Sequence, residues 1–207
     1  LVKYRILASD EAGNWAVSDE ASYTVGDEYP PRIRIGSPAP GSYLKGSVDV
    51  VVFAVDDNFE KAELTINAVS VVKWTSGGEH TFLWNTDTVT YPDGTYLVKL
   101  RAKDKAGNLV EESLSVTVDN TLPTAVINTP SHGGFLRLDV LVNVTGNDAN
   151  FDRMKLRIGD TTVKTWTTAG NQIYEWKTKG FYTDGAHTVS LTVYDKAGNS
   201  RQVQVNV

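Results

Sequence analysis

The chain has 207 residues, 41% of them hydrophobic, enough to bury a core in one large domain or two ordinary ones. A formal net charge of −5, with acids and bases interspersed, excludes the basic stripe that displaces counterions from nucleic-acid phosphates. The absence of cysteine excludes disulfides, thiolate zinc sites and thiol nucleophiles together.

Residues 1–26 read as two strands around the turn Asp10-Glu11-Ala12-Gly13-Asn14. Val2, Tyr4, Ile6 and Ala8 alternate as Tyr96, Val98, Leu100 and Ala102 do later, so this stretch is expected to be the last two strands of a module. A lone hairpin is marginally stable in water. Its remaining strands are expected upstream, or from another chain by strand exchange. No signal peptide opens the sequence, which places any export signal outside it. Trp15, beside the turn, is the tryptophan expected to be exposed.

From residue 30 the sequence repeats, with a period of about 92 residues, the size of one β-sandwich. Pro31 matches Pro123, Asn58-Phe59 matches Asn150-Phe151, Trp74 matches Trp166, Trp84 matches Trp176, and Asp93-Gly94 matches Asp184-Gly185. The turn itself recurs as Asp104-Lys105-Ala106-Gly107-Asn108 and Asp195-Lys196-Ala197-Gly198-Asn199. The expected fold is all-β: tandem sandwiches over 30–119 and 121–207, preceded by the hairpin 1–26. In each, Val48, Val50, Val52 and Ala54, matched by Val140, Val142, Val144 and Gly146, face the core. No apolar run approaches the roughly 20 residues of a membrane span, so no membrane insertion is expected.

Asp-Gly before a strand, Asp-x-Ala-Gly-Asn after it, and Val118-Asp119-Asn120-Thr121-Leu122-Pro123 leading into the next module resemble bacterial and archaeal immunoglobulin-like (fibronectin III-like) domains. Gly26-Asp27-Glu28-Tyr29-Pro30-Pro31, the first linker, departs from that signature. The resemblance implies a secreted or cell-surface protein of bacterial or archaeal source, in which such modules accompany proteases, glycoside hydrolases and adhesins. The lack of cysteine in an exported chain agrees with a microbial source.

Candidate chemistry is sparse. His80, His132 and His187 have no histidine in the matching positions, and no zinc-helix or triad spacing occurs, so no enzyme is expected. The paired tryptophans Trp74/Trp166 and Trp84/Trp176 are expected in the cores. The sharpest site expectation is calcium at the module junctions, where the linker, the loop after the second strand and the last hairpin turn share one pole. One set is Asp119, Asp148 and Asp195; the other draws on Asp27, Glu28, Asp56, Asp57 and Asp104. No cofactor is required otherwise. Asn143-Val144-Thr145 is an N-glycosylation sequon on an outward strand face. Val51, Phe53 and Leu83 are apolar where the second copy has Asn143, Thr145 and Glu175; with Trp15 they form an expected interaction patch for a neighbouring module, a protein or a polysaccharide. Two roles stay open, a spacer and an adhesive or carbohydrate-binding segment.

Overall fold

The computed structural model describes residues 1–23, 26–87, 89–179, 182 and 184–207, and among them only strands and turns form. The first four strands are β1 (Val2–Tyr4), β2 (Leu7–Ser9), β3 (Trp15–Val17) and β4 (Ala21–Tyr23). They make one interrupted antiparallel hairpin, β2 pairing β3 near the turn and β1 pairing β4 beyond it. Ser18 bridges the interruption, its amide donating to Ile6 O at 2.9 Å and its Oγ accepting from Ile6 N at 2.9 Å. Every residue of these strands is exposed, so neither face of the hairpin is buried. Thr24 and Val25, inside the expected 1–26 segment, lie outside the described residues.

The central repeat contains β5 (Arg32–Ser37), β6 (Tyr43–Leu44), β7 (Ser47–Val55), β8 (Phe59–Ile66), β9 (Val69–Trp74), β10 (Gly78–Asn85), β11 (Gly94–Asp104) and β12 (Leu109–Val118). The C-terminal repeat contains β13 (Thr124–Thr129), β14 (Val140–Asn147), β15 (Phe151–Ile158), β16 (Thr161–Trp166), β17 (Gly170–Trp176), β18 (Thr188–Asp195) and β19 (Ser200–Asn206). Sheet orders are β10-β7-β5 and β6-β12-β11-β8-β9 in the first, β13-β14-β17 and β16-β15-β18-β19 in the second. Strand for strand they agree, except for the short β6, which runs parallel to the end of β12.

By compactness the chain divides into two units. One holds Leu1–Ile35, Val52–His80 and Lys99–Glu112; the other holds Gly36–Val51, Thr81–Val98 and Ser113–Val207. The division crosses β5, β7, β10, β11 and β12 rather than falling between repeats, while β13–β19 lie wholly within the second unit.

The expected alternation holds. Val50, Val52 and Ala54 on β7 and Val142 and Val144 on β14 are fully buried, as are Val98 and Leu100 on β11 and Val189, Leu191 and Val193 on β18. Each buried Val or Leu contributes about 1.5–3 kcal/mol relative to exposure. One core layer is built differently in the two copies. The central repeat stacks Ala54, Ala62 and Ala102; the C-terminal repeat puts Gly146, Met154 and Val193 in the same places. A Cβ on Gly146 would stand 2.7 Å from Val193 Cγ2 and 3.0 Å from Met154 Sδ, so the large pair requires the glycine.

Of the paired tryptophans, Trp84 and Trp176 are buried, each edge-on to tyrosines: Tyr91 and Tyr96 at 5.4 and 5.5 Å, Tyr182 at 5.3 Å. Trp74 and Trp166 correct the expectation of a core position. Both sit at the ends of the edge strands β9 and β16 and are only half-buried, whereas Trp84 and Trp176, on the edge strands β10 and β17, are enclosed by aromatic neighbours. Trp74 stacks on His80 at 4.9 Å, and Trp166 packs against the margin of its core.

Candidate metal centre

The Asp-x-Ala-Gly-Asn turn closes identically in all three copies. The aspartate amide donates to the asparagine carbonyl at 3.0–3.1 Å, in Asp10, Asp104 and Asp195 alike. The glycine amide returns to the aspartate carbonyl, which needs a left-handed residue; φ is +87° at Gly13, +104° at Gly107 and +85° at Gly198. The turn thus fixes the aspartate at the end of its strand, and in the two complete repeats that end carries further acids.

Two acid clusters result, each with carboxylate oxygens within 4.8 Å of one another: Asp27, Asp56 and Asp104, and Asp119, Asp148 and Asp195. Glu28 and Asp57, expected with the first cluster, do not join it and are exposed. Asp56, rather than Asp57, is held inward because its carboxylate accepts the Asn58 amide at 2.7 Å in a local turn. Asp148 is held the same way by the Asn150 amide, also at 2.7 Å.

Asparagines, not carboxylates alone, build these sites. Asn58 Nδ2 donates to Asp27 Oδ2 at 2.9 Å, and Asn150 Nδ2 to Asp119 Oδ2 at 2.7 Å. Asn108 Nδ2 reaches the carbonyl of Asp27 and Asn199 Nδ2 that of Asp119, both at 2.8 Å, tying each turn to its incoming linker. The recurrence of Asn58-Phe59 as Asn150-Phe151 was the available signal for the first pair.

The clusters differ in satisfaction. Asp104 Oδ1 accepts the amides of Gly107 and Asn108, and its Oδ2 accepts Asn108 Nδ2 at 2.7 Å. Burial raises its carboxyl, but these donors outweigh that and hold it below the usual carboxylate value. Asp195 is equally buried. Its Oδ1 accepts the Asn199 amide at 2.8 Å, while Oδ2 has no hydrogen-bond partner among the described residues. Asp148 beside it is pushed up, first by burial and then by the charges of Asp119, Asp195 and Asp93. Three ionised carboxylates at such distances repel by on the order of 3 kcal/mol per pair at an effective dielectric of 20. The arrangement suits a hard cation that takes carboxylate, amide-carbonyl and backbone oxygens.

The remaining expected positions are scattered. Trp15 is 68% exposed and Leu83 63%. Val51 and Phe53 are half-buried; Phe53 is roofed by the Arg34 guanidinium, 4.6 Å from its ring centre, so the chain itself supplies part of the cover expected from a partner. Asn143 is half-buried in an amide ladder, its Oδ1 accepting from Asn128 Nδ2 at 2.9 Å and Asn171 Nδ2 at 2.6 Å. His80 Nε2 lies 2.8 Å from Ser76 O, His132 Nδ1 accepts the Asn206 amide, and His187 packs edge-on to Trp176.

Residues 31–100 match the family model described as bacterial Ig domain. The match falls within the central repeat and spans about a third of the chain. Among solved structures, the fibronectin(III)-like modules of Clostridium thermocellum CbhA are 19% identical, covering 84% of this chain and 92% of theirs, with a TM-score of 0.53. A tetra-tandem repeat from the extending region of a large adhesion protein is 21% identical over 99% of this chain and 55% of its own, with a TM-score of 0.35. The endo-β-1,4-mannanase of Thermotoga petrophila is 21% identical over 46% of this chain and 21% of its own, with a TM-score of 0.38. No curated protein matches the chain. The immunoglobulin-like fold and the tandem repetition are those expected from the sequence, and such modules suit a structural spacer.

Proposed function

We propose that the chain is a non-catalytic spacer of a secreted or cell-surface bacterial or archaeal protein, with modules spanning 30–119 and 121–207, stiffened by calcium at the Asp119 junction. The observation that carries the calcium reading is the buried, unpartnered Oδ2 of Asp195 facing two further carboxylates. An orphaned buried carboxylate oxygen is costly, and a divalent ion relieves both the orphan and the repulsion. The linker residue Asp119 belongs to the same cluster, so the ion ties linker to module. Titration with calcium, followed by thermal unfolding and small-angle scattering, tests it. A raised melting temperature and a narrower spread of dimensions are expected. Identical curves with calcium and with chelator would remove the calcium, leaving the spacer role to stand on the fold alone.

Adhesion or carbohydrate binding is the second reading, and Trp15 supports it, being exposed on the hairpin among other exposed apolar side chains. A glycan and cell-surface binding screen with Trp15→Ala as the comparison decides it. Strand exchange through 1–26 predicts dimers; light scattering that finds monomers at all concentrations counts against it.

A further inference from the structure

The loop after the first strand of each repeat carries left-handed residues at the same two positions in both copies, although only the central one pairs a short strand, β6, with β12. Gly41 and Gly133 share a φ of +76°, and Gly46 at +60° is answered by Leu138 at +62°. The carbonyl of that residue accepts a threonine Oγ1 in each, Thr86 to Gly46 at 2.8 Å and Thr178 to Leu138 at 2.6 Å. The surroundings of the two loops are unlike.

In the central repeat the loop is covered. Asn120 Oδ1 accepts the Gly46 amide at 2.8 Å and its Nδ2 donates to Thr86 O at 3.0 Å, while Asp93 accepts the Asn120 amide at 2.8 Å. Lys45 Nζ donates to the carbonyl of Gly198, in the β18–β19 turn of the following repeat. Lys196, from the same turn, places its ammonium 5.1 Å from the centre of the Tyr43 ring. Linker and turn of the next module thus engage one loop.

The C-terminal repeat presents the same set in equivalent chemistry: Phe135 for Tyr43, Arg137 for Lys45, Asp184 for Asp93 and Thr178 for Thr86. Here Phe135 is 103% exposed and Leu138 70%, and both line an open cavity of about 960 Å³ with Trp176 and Tyr182. Leu138 keeps a left-handed backbone where glycine serves in the other copy, so a large apolar side chain is held on an open surface in a conformation that is costly for it.

We infer that the pole formed by Phe135, Arg137, Leu138 and Asp184 docks an immunoglobulin-like module of this chain's own type. Arg137 donates to the glycine carbonyl of its Asp-x-Ala-Gly-Asn turn. The lysine of that turn lies over Phe135, and the asparagine of its Val-Asp-Asn linker bridges the Leu138 amide and the Thr178 carbonyl. The inference extends the spacer reading and is independent of calcium, because the acid clusters include none of these residues.

The test extends the full chain beyond Val207 with a copy of its own Thr117–Val207, and compares it with the unextended chain and with an extension of Thr117–Leu122 alone. Amide exchange at Leu138 and radical labelling of Phe135 are the readouts. The whole-module extension is expected to slow Leu138 exchange about tenfold, as a stable hydrogen bond does, and to suppress Phe135 labelling. Arg137→Glu should restore the labelling, while Gly46 exchange in the same molecule stays unchanged and reports intact folding. Equal Phe135 labelling in the short and whole extensions overturns the inference. So does protection of Phe135 in the unextended chain that grows with concentration, which would assign the surface to a second copy.

Discussion

The two acid clusters occupy the same pole of the same fold, with aspartates in matching positions, and behave oppositely. The central cluster satisfies itself: Asn108 closes on both oxygens of Asp104 through its amide and its side chain. The C-terminal cluster does not: Asn199 donates its side chain to the linker carbonyl as Asn108 does, but no donor among the described residues reaches Asp195 Oδ2. Recurrent residues therefore do not imply recurrent chemistry. The difference lies in whether one amide group also reaches the second oxygen of the aspartate, and it leaves one cluster a hydrogen-bonded turn and the other the proposed calcium site.

Calcium should separate the clusters most. At a hundredfold excess over its dissociation constant a bound ion adds about 2.7 kcal/mol to stability. Asp195→Asn and Asp148→Asn should abolish that gain, whereas Asp56→Asn should leave most of it; calorimetric unfolding with and without chelator reads this out. A gain lost equally in Asp56→Asn would break the comparison.

Next in size is the core layer that the repeats build differently. Gly146→Ala should destabilise by about 1–3 kcal/mol through overpacking against Val193 and Met154. In a Val193→Ala background the same change should cost less, since the closest clash is gone and only the flexible Met154 must give; denaturant unfolding of the double-mutant cycle measures the coupling.

Smaller still are the left-handed residues. Leu138→Gly and Ala68→Gly should each stabilise by about 1 kcal/mol, because both φ values, +62° and +67°, crowd a Cβ. Chemical denaturation of the two variants checks this, and an effect at Ala68 alone would mean that the Leu138 loop relaxes in solution.

The gentlest probe is pH. Asp104 titrates below its ordinary value in the folded chain, so its contribution is present above the unfolded carboxylate range and is lost as pH falls through the folded value. Asp148 titrates above it. Without calcium its charge weakens the fold above that raised value, and acid relieves the penalty as pH falls through it. Denaturation of Asp104→Asn and Asp148→Asn between about pH 3 and 7 should therefore give slopes of opposite sign relative to the parent.

Alternation and recurrence made most of the fold legible, because a two-residue side-chain period with a buried face leaves one reading of Val50-Val52-Ala54 and Val142-Val144-Gly146. Edge positions were not legible. Trp74 and Trp166 recur like Trp84 and Trp176, and all four lie on edge strands, but only Trp84 and Trp176 are closed in by rings from elsewhere in their repeat. Asp57 and Asp56 are neighbours in sequence, and only the turn at Asn58 chose between them.

The sequence by itself determined the module type, the tandem repetition, the turn that places each strand-end aspartate and the acids that gather at each pole, since all follow from local backbone preference and burial. Only the tertiary structure decided which cluster keeps an unpaired oxygen and which loop lies open. Those depend on where side-chain amides find partners some 30 to 80 residues away along the chain, and no local pattern records that.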